Sequence, residues 1–362
     1  MRILLVPQAF LPGHNSMRFL CTNMLDVMRF AGHAAAVCCP KSMSFKASVY
    51  FAPEVPKPLI SLGRKDRGRT YEEYLSSYGA SSEQYLKEDV RALISAAEDF
   101  RPDLIIDLGR PQAVIAARSL NIPCRSVVHS GMYRTRAFDS RCLDGFNNVL
   151  SEYRFEQIHH ITDLYCGAGR RIIFGLPQIQ PFSRHEDVER LGYTGIKGFA
   201  AEPVRRLCIM LCETSFSASR LQKIFTDAFL GAPYEVAVSF PGSKPVLNDN
   251  LHFMPSVRPQ LIYGSTACIH DGNSFLFHQC IASGIPQLII SDSSYERMWN
   301  AAAAERYGFG LYLPERNLSM ETVYEKYRSL LSDDIFAEQA EAFSQETSEL
   351  KDLYDFVKDL EV

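Results

Sequence analysis

Residues 269 to 290 read IHDGNSFLFHQCIASGIPQLII, and this stretch decides the fold class. A short apolar segment ends at His270, a polar turn follows, and a helical pattern then runs to Gly284. Pro286 opens a second apolar segment. This order is typical of a strand, a helix and a parallel strand, the βαβ unit of parallel sheets.

The same alternation occurs in both halves of the chain. RILLVP at 2–7 precedes an amphipathic helix that ends at Gly32, and PDLIIDLG at 102–109 precedes another helical pattern. Residues 167–203 are rich in Gly, Pro and polar residues, and we place the linker at 193–203; a second series then begins with RRLCIMLCE at 205–213. Since 362 residues exceed the usual single domain of about 100 to 200, we predict two α/β domains, 1–197 and 198–362, with a cleft between their sheets.

Composition narrows the class of partner. The formal net charge of −4 gives no basic surplus for binding a nucleic acid. No segment has the roughly 18 uninterrupted apolar residues of a membrane span. The ten cysteines form no CxxC pair and no zinc-type cluster with histidine, which predicts buried thiols in a reducing cytoplasm and no metal site.

Ligands of parallel α/β sheets bind beyond the carboxyl ends of the strands, so polar residues at those ends are the candidates. His14 could act as a general base, or it could be a surface histidine beside a helix cap. Asp107 could fix the tautomer of that histidine if its strand lies beside the first, or it could be a turn aspartate.

Two candidate positions lie in the second half. Thr214 and Ser215 could bind phosphate or could cap a helix. The stretch from His270 through Gly272, Asn273 and Ser274 would suit a nucleotide diphosphate at a helix N-terminus. The same residues would also be expected in an ordinary turn of a βαβ unit, so both interpretations stay open.

A family resemblance is spread over most of the chain. HDGNS, ASGIP and WNAAAAERYGFG, between residues 269 and 311, resemble the donor-binding signature of GT-B glycosyltransferases of the UDP-glycosyltransferase type, which includes many natural-product glycosyltransferases. VPQAFLPGHNS resembles the first strand and G-H loop of that family, and LNDNLHFMPSV resembles its D-N-V-x-x-x-x-W-x-P-Q stretch.

The resemblance implies a GT-B fold, in which two Rossmann-like domains face a central cleft. It also implies an inverting transfer of a sugar from a UDP- or dTDP-sugar to a small-molecule, natural-product acceptor, without metal or cofactor. A homodimer is compatible with it. The last helix would cross back to the N-terminal domain.

Site residues carry over by position. His14 matches the catalytic base and Asp107 the acid that orients it. The donor diphosphate would meet His270, Asn273, Ser274 and the helix N-terminus. Gly272 lies in the turn that follows His270 on this donor side. Thr214 and Ser215 follow the first strand of the second domain, and Met254, Ser256 and Val257 would border the nucleobase.

The sequence also departs from the family pattern. The interval from His270 to Gly284 is one residue longer, so either His278 or Gln279 stands where a glutamate binds ribose; Gln279 is our choice. Glu296 and Arg297 replace the Asp-Gln pair that holds the sugar.

The residue before Thr214 is Glu213 instead of glycine. These departures keep a rival open: a glycosyltransferase-like pseudoenzyme or auxiliary partner that activates another enzyme. A GT-B epimerase or a lipid-linked sugar transferase is a further rival.

Overall fold

The computed structural model describes residues 1–8, 15–56, 69–134, 136–167, 169–182, 187–192, 204–256, 258–291 and 294–360. The chain divides into two units. Unit 1 comprises Met1–Leu191 and Leu353–Val362, and unit 2 comprises Gly192–Asp352. His14, Val257 and the 193–203 stretch lie outside the described residues.

Unit 1 is built on a seven-stranded sheet in the order β3-β2-β1-β4-β5-β6-β7. All neighbouring strands pair in parallel. The strands are β1 (Arg2–Pro7), β2 (Ala34–Pro40), β3 (Ser48–Ala52), β4 (Leu104–Leu108), β5 (Cys124–Val127), β6 (Arg171–Phe174) and β7 (Val188–Leu191). The helices are α1 (Asn15–Phe30), α2 (Tyr71–Ser77), α3 (Glu83–Phe100), α4 (Gln112–Ser119) and α5 (Asp144–Glu152).

The strands of this sheet are apolar because helices cover both of its faces. Ile3, Leu4, Leu5 and Val6 of β1 are fully buried, as a strand enclosed on two sides requires. Helix α1 ends as its sequence predicts, with Gly32 in the left-handed region at φ 80°.

Unit 2 repeats this architecture with one addition. Its sheet has the order β10-β11-β9-β8-β12-β13-β14, and only the edge strand β10 runs antiparallel to its neighbour. The strands are β8 (Arg206–Met210), β9 (Glu235–Ser239), β10 (Val246–Asn248), β11 (Leu251–Met254), β12 (Ala267–His270), β13 (Gln287–Ser291) and β14 (Gly310–Pro314). The helices are α6 (Ala218–Phe229), α7 (Ser274–Ala282), α8 (Tyr295–Tyr307), α9 (Met320–Ser332) and α10 (Ile335–Ser348).

The chain order reverses beside β1 in unit 1 and beside β8 in unit 2. In each sheet the first strand lies between the second and the fourth parallel strand of its series, so both units have the doubly wound Rossmann-like topology. The predicted α/β class with two Rossmann-like domains and parallel sheets is confirmed. Ligands of such sheets bind at the carboxyl edge, next to this reversal.

The last part of the chain forms two separate helices. Helix α10 stops at Ser348, and a separate helix α11 (Leu353–Lys358) follows. Between them Lys351 leaves the helix, and its carbonyl accepts the N–H of Gly192 at 3.0 Å. A side chain at 192 would meet the carbonyl oxygen of Thr347 at 2.3 Å, so glycine is required for this close approach.

Candidate functional site

The carboxyl edge of the unit 2 sheet gathers the predicted donor-side residues. β8 and β12 are parallel neighbours, with Met210 opposite His270. The loops that carry Thr214 and Asn273 therefore leave the same edge side by side. Met254 ends β11, two strands away on that edge.

His270 is fully buried, and both of its ring nitrogens have partners inside unit 2. The N–H of Gly272 donates to Nδ1 at 3.1 Å, so Nε2 carries the proton and donates to Gln287 Oε1 at 2.8 Å. Burial lowers the pKa of His270 to about 4, with a smaller contribution from Arg297. The ring is a neutral support for the turn at Gly272.

Gly272 is held in a conformation and a space that suit only glycine. Its φ is 77°, and an added Cβ would lie 3.0 Å from Ile289 Cγ2 and 3.2 Å from Arg297 Cβ. Asn300 of α8 donates to the Gly272 carbonyl at 2.9 Å and to Ser274 Oγ at 3.1 Å. The turn before α7 is therefore fixed against the start of α8.

The N–H groups at the start of α7 are bound by side chains of the same unit. Asn273 caps the helix, since its Oδ1 accepts the N–H of Phe275 at 3.0 Å. The N–H of Ser274 donates to Glu296 Oε1 at 2.6 Å. A carboxylate thus occupies the position that a phosphate takes at a helix N-terminus.

The loop after β8 shows the same arrangement. Asp271 Oδ2 accepts the N–H groups of Cys212 at 3.0 Å and Glu213 at 2.8 Å. Glu315 Oε1 accepts the Thr214 hydroxyl and the Ser215 N–H, both at 2.6 Å. Sequence reasoning missed Glu315, although it directly follows β14 and so met the criterion that selected the other candidates.

Glu213 and Arg297, two departures from the family pattern, are partners. Arg297 Nη2 lies 2.8 Å from Glu213 Oε2 and 3.3 Å from Asp271 Oδ2. All three side chains are largely buried. Burial raises the pKa of Asp271 to about 6 against the opposing field of Arg297. The guanidinium is held by protein carboxylates and ties the β8 and β12 loops to α8.

The remaining donor-side candidates lie near the end of β11 or on α7. Met254 and Ser256 are half-buried. His278 and Gln279 of α7 are both buried, and Gln279 hydrogen-bonds the Tyr263 hydroxyl in the segment after Ser256.

Asp107 of unit 1 lies in β4, whose neighbour is β1, with Val6 opposite Asp107. The strands therefore have the adjacency that a pairing between Asp107 and His14 requires. Asp107 is fully buried, its Oδ1 accepts the N–H of Arg110, and its Oδ2 has no hydrogen-bond partner among the residues described. Burial raises its pKa to about 7, against the opposing effects of the Arg110 backbone N–H, the Ser126 hydroxyl and the Gly109 N–H.

Two buried tyrosines lie near Asp107, and the sequence analysis did not predict them as site residues. The hydroxyls of Tyr71 and Tyr165 lie 3.2 Å apart, and both side chains are almost fully enclosed. Burial raises the pKa of each well above its usual value, and the charge of Asp107 adds to the shift. Both phenols are therefore neutral.

In the described part of the chain, no group of three or more His, Cys, Asp or Glu side chains is arranged to hold a metal ion. Among the described helices, none combines the length and the apolar character needed to cross a bilayer.

No model of a known protein family matches the sequence. A segment of 82 residues is 34% identical to aclacinomycin-T 2-deoxy-L-fucose transferase of Streptomyces galilaeus and covers 22% of this chain and 19% of that protein. The match therefore spans about a fifth of the length of this curated relative.

Solved structures resemble the chain over nearly its whole length. Spinosyn rhamnosyltransferase SpnG complexed with thymidine diphosphate has 18% identity and a TM-score of 0.72, over 99% of each chain. Glycosyltransferase SsfS6 of Streptomyces sp. SF2575, also complexed with thymidine diphosphate, has 15% identity and a TM-score of 0.68, over 99% of this chain and 98% of that one. The chain therefore shares the GT-B fold of these glycosyltransferases.

Proposed function

We propose that the chain is a glycosyltransferase that moves a sugar from a nucleotide sugar to a hydroxyl of a small natural-product acceptor, with inversion at the anomeric carbon. The fold supports this, and so do the sugar-transferase names of the matched proteins. Because SpnG and SsfS6 are complexed with thymidine diphosphate, a dTDP-linked donor is favoured over a UDP-linked one.

The observation that carries the proposal is the state of Asp107. A buried carboxylate oxygen without a hydrogen-bond partner is costly, and a catalytic role is one explanation for such a group in a native structure. Asp107 Oδ2 is such an oxygen, with the Ser126 hydroxyl beside it, and His14 follows the neighbouring strand β1 in the sequence. An imidazole N–H from His14 would satisfy it and would fix the tautomer of the ring.

In the proposed reaction His14 takes the proton of the acceptor hydroxyl. The acceptor oxygen forms a bond to the anomeric carbon from the face opposite the leaving group. The bond between that carbon and the diphosphate oxygen breaks, and the nucleoside diphosphate leaves with the electron pair. Asp107 stabilises the imidazolium that forms, as a buried carboxylate does for a catalytic histidine.

On the donor side, the diphosphate would lie at the N-terminus of α7, beside Asn273 and Ser274. Thr214 and Ser215 would approach it from the β8 loop. The nucleobase would lie near Met254 and Ser256, and Gln279 would contact the ribose. Glu296 would accept hydroxyls of the sugar, whereas Arg297, already held by Glu213 and Asp271, would act on the shape of the site.

The test separates catalysis from binding. The native chain, His14→Ala and His159→Ala are incubated with dTDP-rhamnose and a panel of hydroxylated aglycones, and glycosylated products are detected by mass. Affinity for thymidine diphosphate is measured by calorimetry. His159 is an exposed histidine of unit 1 with no proposed role, so it is the matched control.

We expect His14→Ala to lose transfer by at least about a hundredfold, the usual contribution of a general base, with unchanged nucleotide affinity. The control should behave as the native chain does. Full activity in His14→Ala would overturn the assignment of the base. Product of retained configuration, read by NMR, would contradict inversion.

A further inference from the structure

The polar groups where the donor diphosphate would bind are already bound by two carboxylates. Glu296, in the first turn of α8, accepts the N–H of Ser274 at 2.6 Å. Glu315, just after β14, accepts the Thr214 hydroxyl and the Ser215 N–H, both at 2.6 Å. Each carboxylate therefore takes donors that a phosphate would use.

These two carboxylates differ from Asp271, the third one at this edge. Asp271 is 1% exposed and lies 3.3 Å from the Arg297 guanidinium, so it is fixed in the interior. Glu296 and Glu315 are half-buried, and neither forms an ion pair within the described ranges. Solvent reaches both, and hydrogen bonds to N–H and O–H groups alone hold them there.

A carboxylate and a phosphate compete for the same donors. Both are anions, both accept charge-assisted hydrogen bonds from backbone N–H groups, and at short range they repel each other. The Ser274 and Ser215 N–H groups cannot serve a diphosphate while Glu296 and Glu315 hold them. Binding of a diphosphate therefore requires both side chains to move away.

We propose that Glu296 and Glu315 are internal substitutes for the donor diphosphate, and that the donor binds by displacing them. This inference rests on the proposed function and concerns the same site. Displacement would free the Glu296 carboxylate to accept hydroxyls of the donor sugar. The two residues would thus set the affinity for nucleoside diphosphates, without affecting the affinity for nucleosides that lack phosphate.

The experiment compares thymidine diphosphate with thymidine, which lacks phosphate. Calorimetry is carried out on the native chain, Glu296→Gln, Glu315→Gln and the double alanine variant Glu296→Ala with Glu315→Ala. Glutamine keeps an acceptor for the N–H group but removes the charge, and alanine frees the N–H group. Thermal unfolding checks that each variant is folded.

Glu305→Gln is the matched control. Glu305 also lies on α8, and its Oε1 accepts a backbone N–H, that of Tyr312, at 3.2 Å. It is exposed and lies in no proposed contact with the donor. Its replacement removes the same charge and the same type of hydrogen bond elsewhere on the helix.

We expect each glutamine variant to bind thymidine diphosphate at least about tenfold more tightly than the native chain does, and the double alanine variant more tightly still. Thymidine affinity should not change in any variant. Glu305→Gln should match the native chain for both ligands. Glu296→Gln should also lose sugar transfer through kcat, whereas Glu315→Gln should lower the KM of the donor.

The outcomes separate the inference from the proposed function. If the native chain binds thymidine diphosphate and the variants bind it equally or more weakly, the displacement is wrong and the donor site stands. If only the carboxylate variants bind, the displacement is supported and the native site is held closed by its own side chains. If no variant binds thymidine diphosphate, both the inference and a dTDP donor are overturned.

Discussion

Asp107 makes the stability of unit 1 depend on pH. Burial raises its folded-state pKa to about 7, above the value near 3.9 of an unfolded aspartate. The neutral acid is the form that folding favours. The stability that the protonated Asp107 side chain contributes is therefore fully present below about pH 4 and is lost as the pH rises towards 7.

Asp107→Asn is expected to remove this dependence. Asparagine has the same shape and no charge, so the variant should gain stability over the native chain by about 2–3 kcal/mol more at pH 8 than at pH 5. Urea unfolding at the two pH values, followed by a probe in unit 1, measures the difference. A constant difference between the two chains at both pH values would show that Asp107 does not titrate in this range.

Single residues were predictable from the sequence where a strand end marked them. Asp107, Thr214 and His270 all lie at or just beyond the carboxyl ends of parallel strands, as the alternating pattern predicts. Their partners were not predictable. Glu315 accepts the Thr214 hydroxyl although 101 positions separate the two residues in the sequence. Gln287 of the neighbouring strand β13 accepts a hydrogen bond from the His270 ring. Such contacts depend on the side-chain packing of the folded sheet.

At the scale of elements, the Glu213–Arg297 ion pair joins the β8 loop to α8. In the sequence each residue alone is an unfavourable departure from the resembled family, because Glu213 puts a negative charge near the proposed phosphate site and Arg297 replaces an amide. The contact of 2.8 Å shows that the two changes compensate each other. A pattern that is read one motif at a time cannot reveal such a pairing.

A double-mutant cycle measures this compensation. Arg297→Gln leaves Glu213 and Asp271 together without a cation, so it should cost about 3–5 kcal/mol. Glu213→Gln should cost less, because Asp271 still pairs with Arg297. The double variant should be more stable than the sum of the single effects predicts, by about 1–3 kcal/mol.

Equilibrium unfolding of the four chains, followed in unit 2, gives the coupling energy. Arg206→Gln with Glu235→Gln is a suitable control cycle, since this pair in unit 2 has an exposed carboxylate. Its coupling should stay below about 1 kcal/mol. Additive effects for Glu213 and Arg297 would mean that the two residues do not depend on each other.

For the whole molecule, the alternation of strands and helices was enough to predict two α/β units with parallel sheets. Periodicity carries that information because a strand buried on both faces must be apolar throughout. The antiparallel edge strand β10 and the break after α10 were not predictable in the same way. β10 is only three residues long and pairs locally with β11. The break after α10 depends on the contact of Gly192 with the distant Lys351.

The last helix gives a prediction at this scale, because it follows unit 2 in the chain but packs in unit 1. Phe356 and Val357 of α11 are fully buried, and the carbonyl of Val357 lies 3.1 Å from His33 Nε2. Phe356→Ala should therefore destabilise unit 1 by about 3–5 kcal/mol. Hydrogen exchange should speed up in the amides of β1 and α1, while those of β8 and β12 keep their rates. Lys358→Ala, an exposed change on the same helix, should alter neither unit, and equal loss of protection in both units of Phe356→Ala would mean that they unfold together.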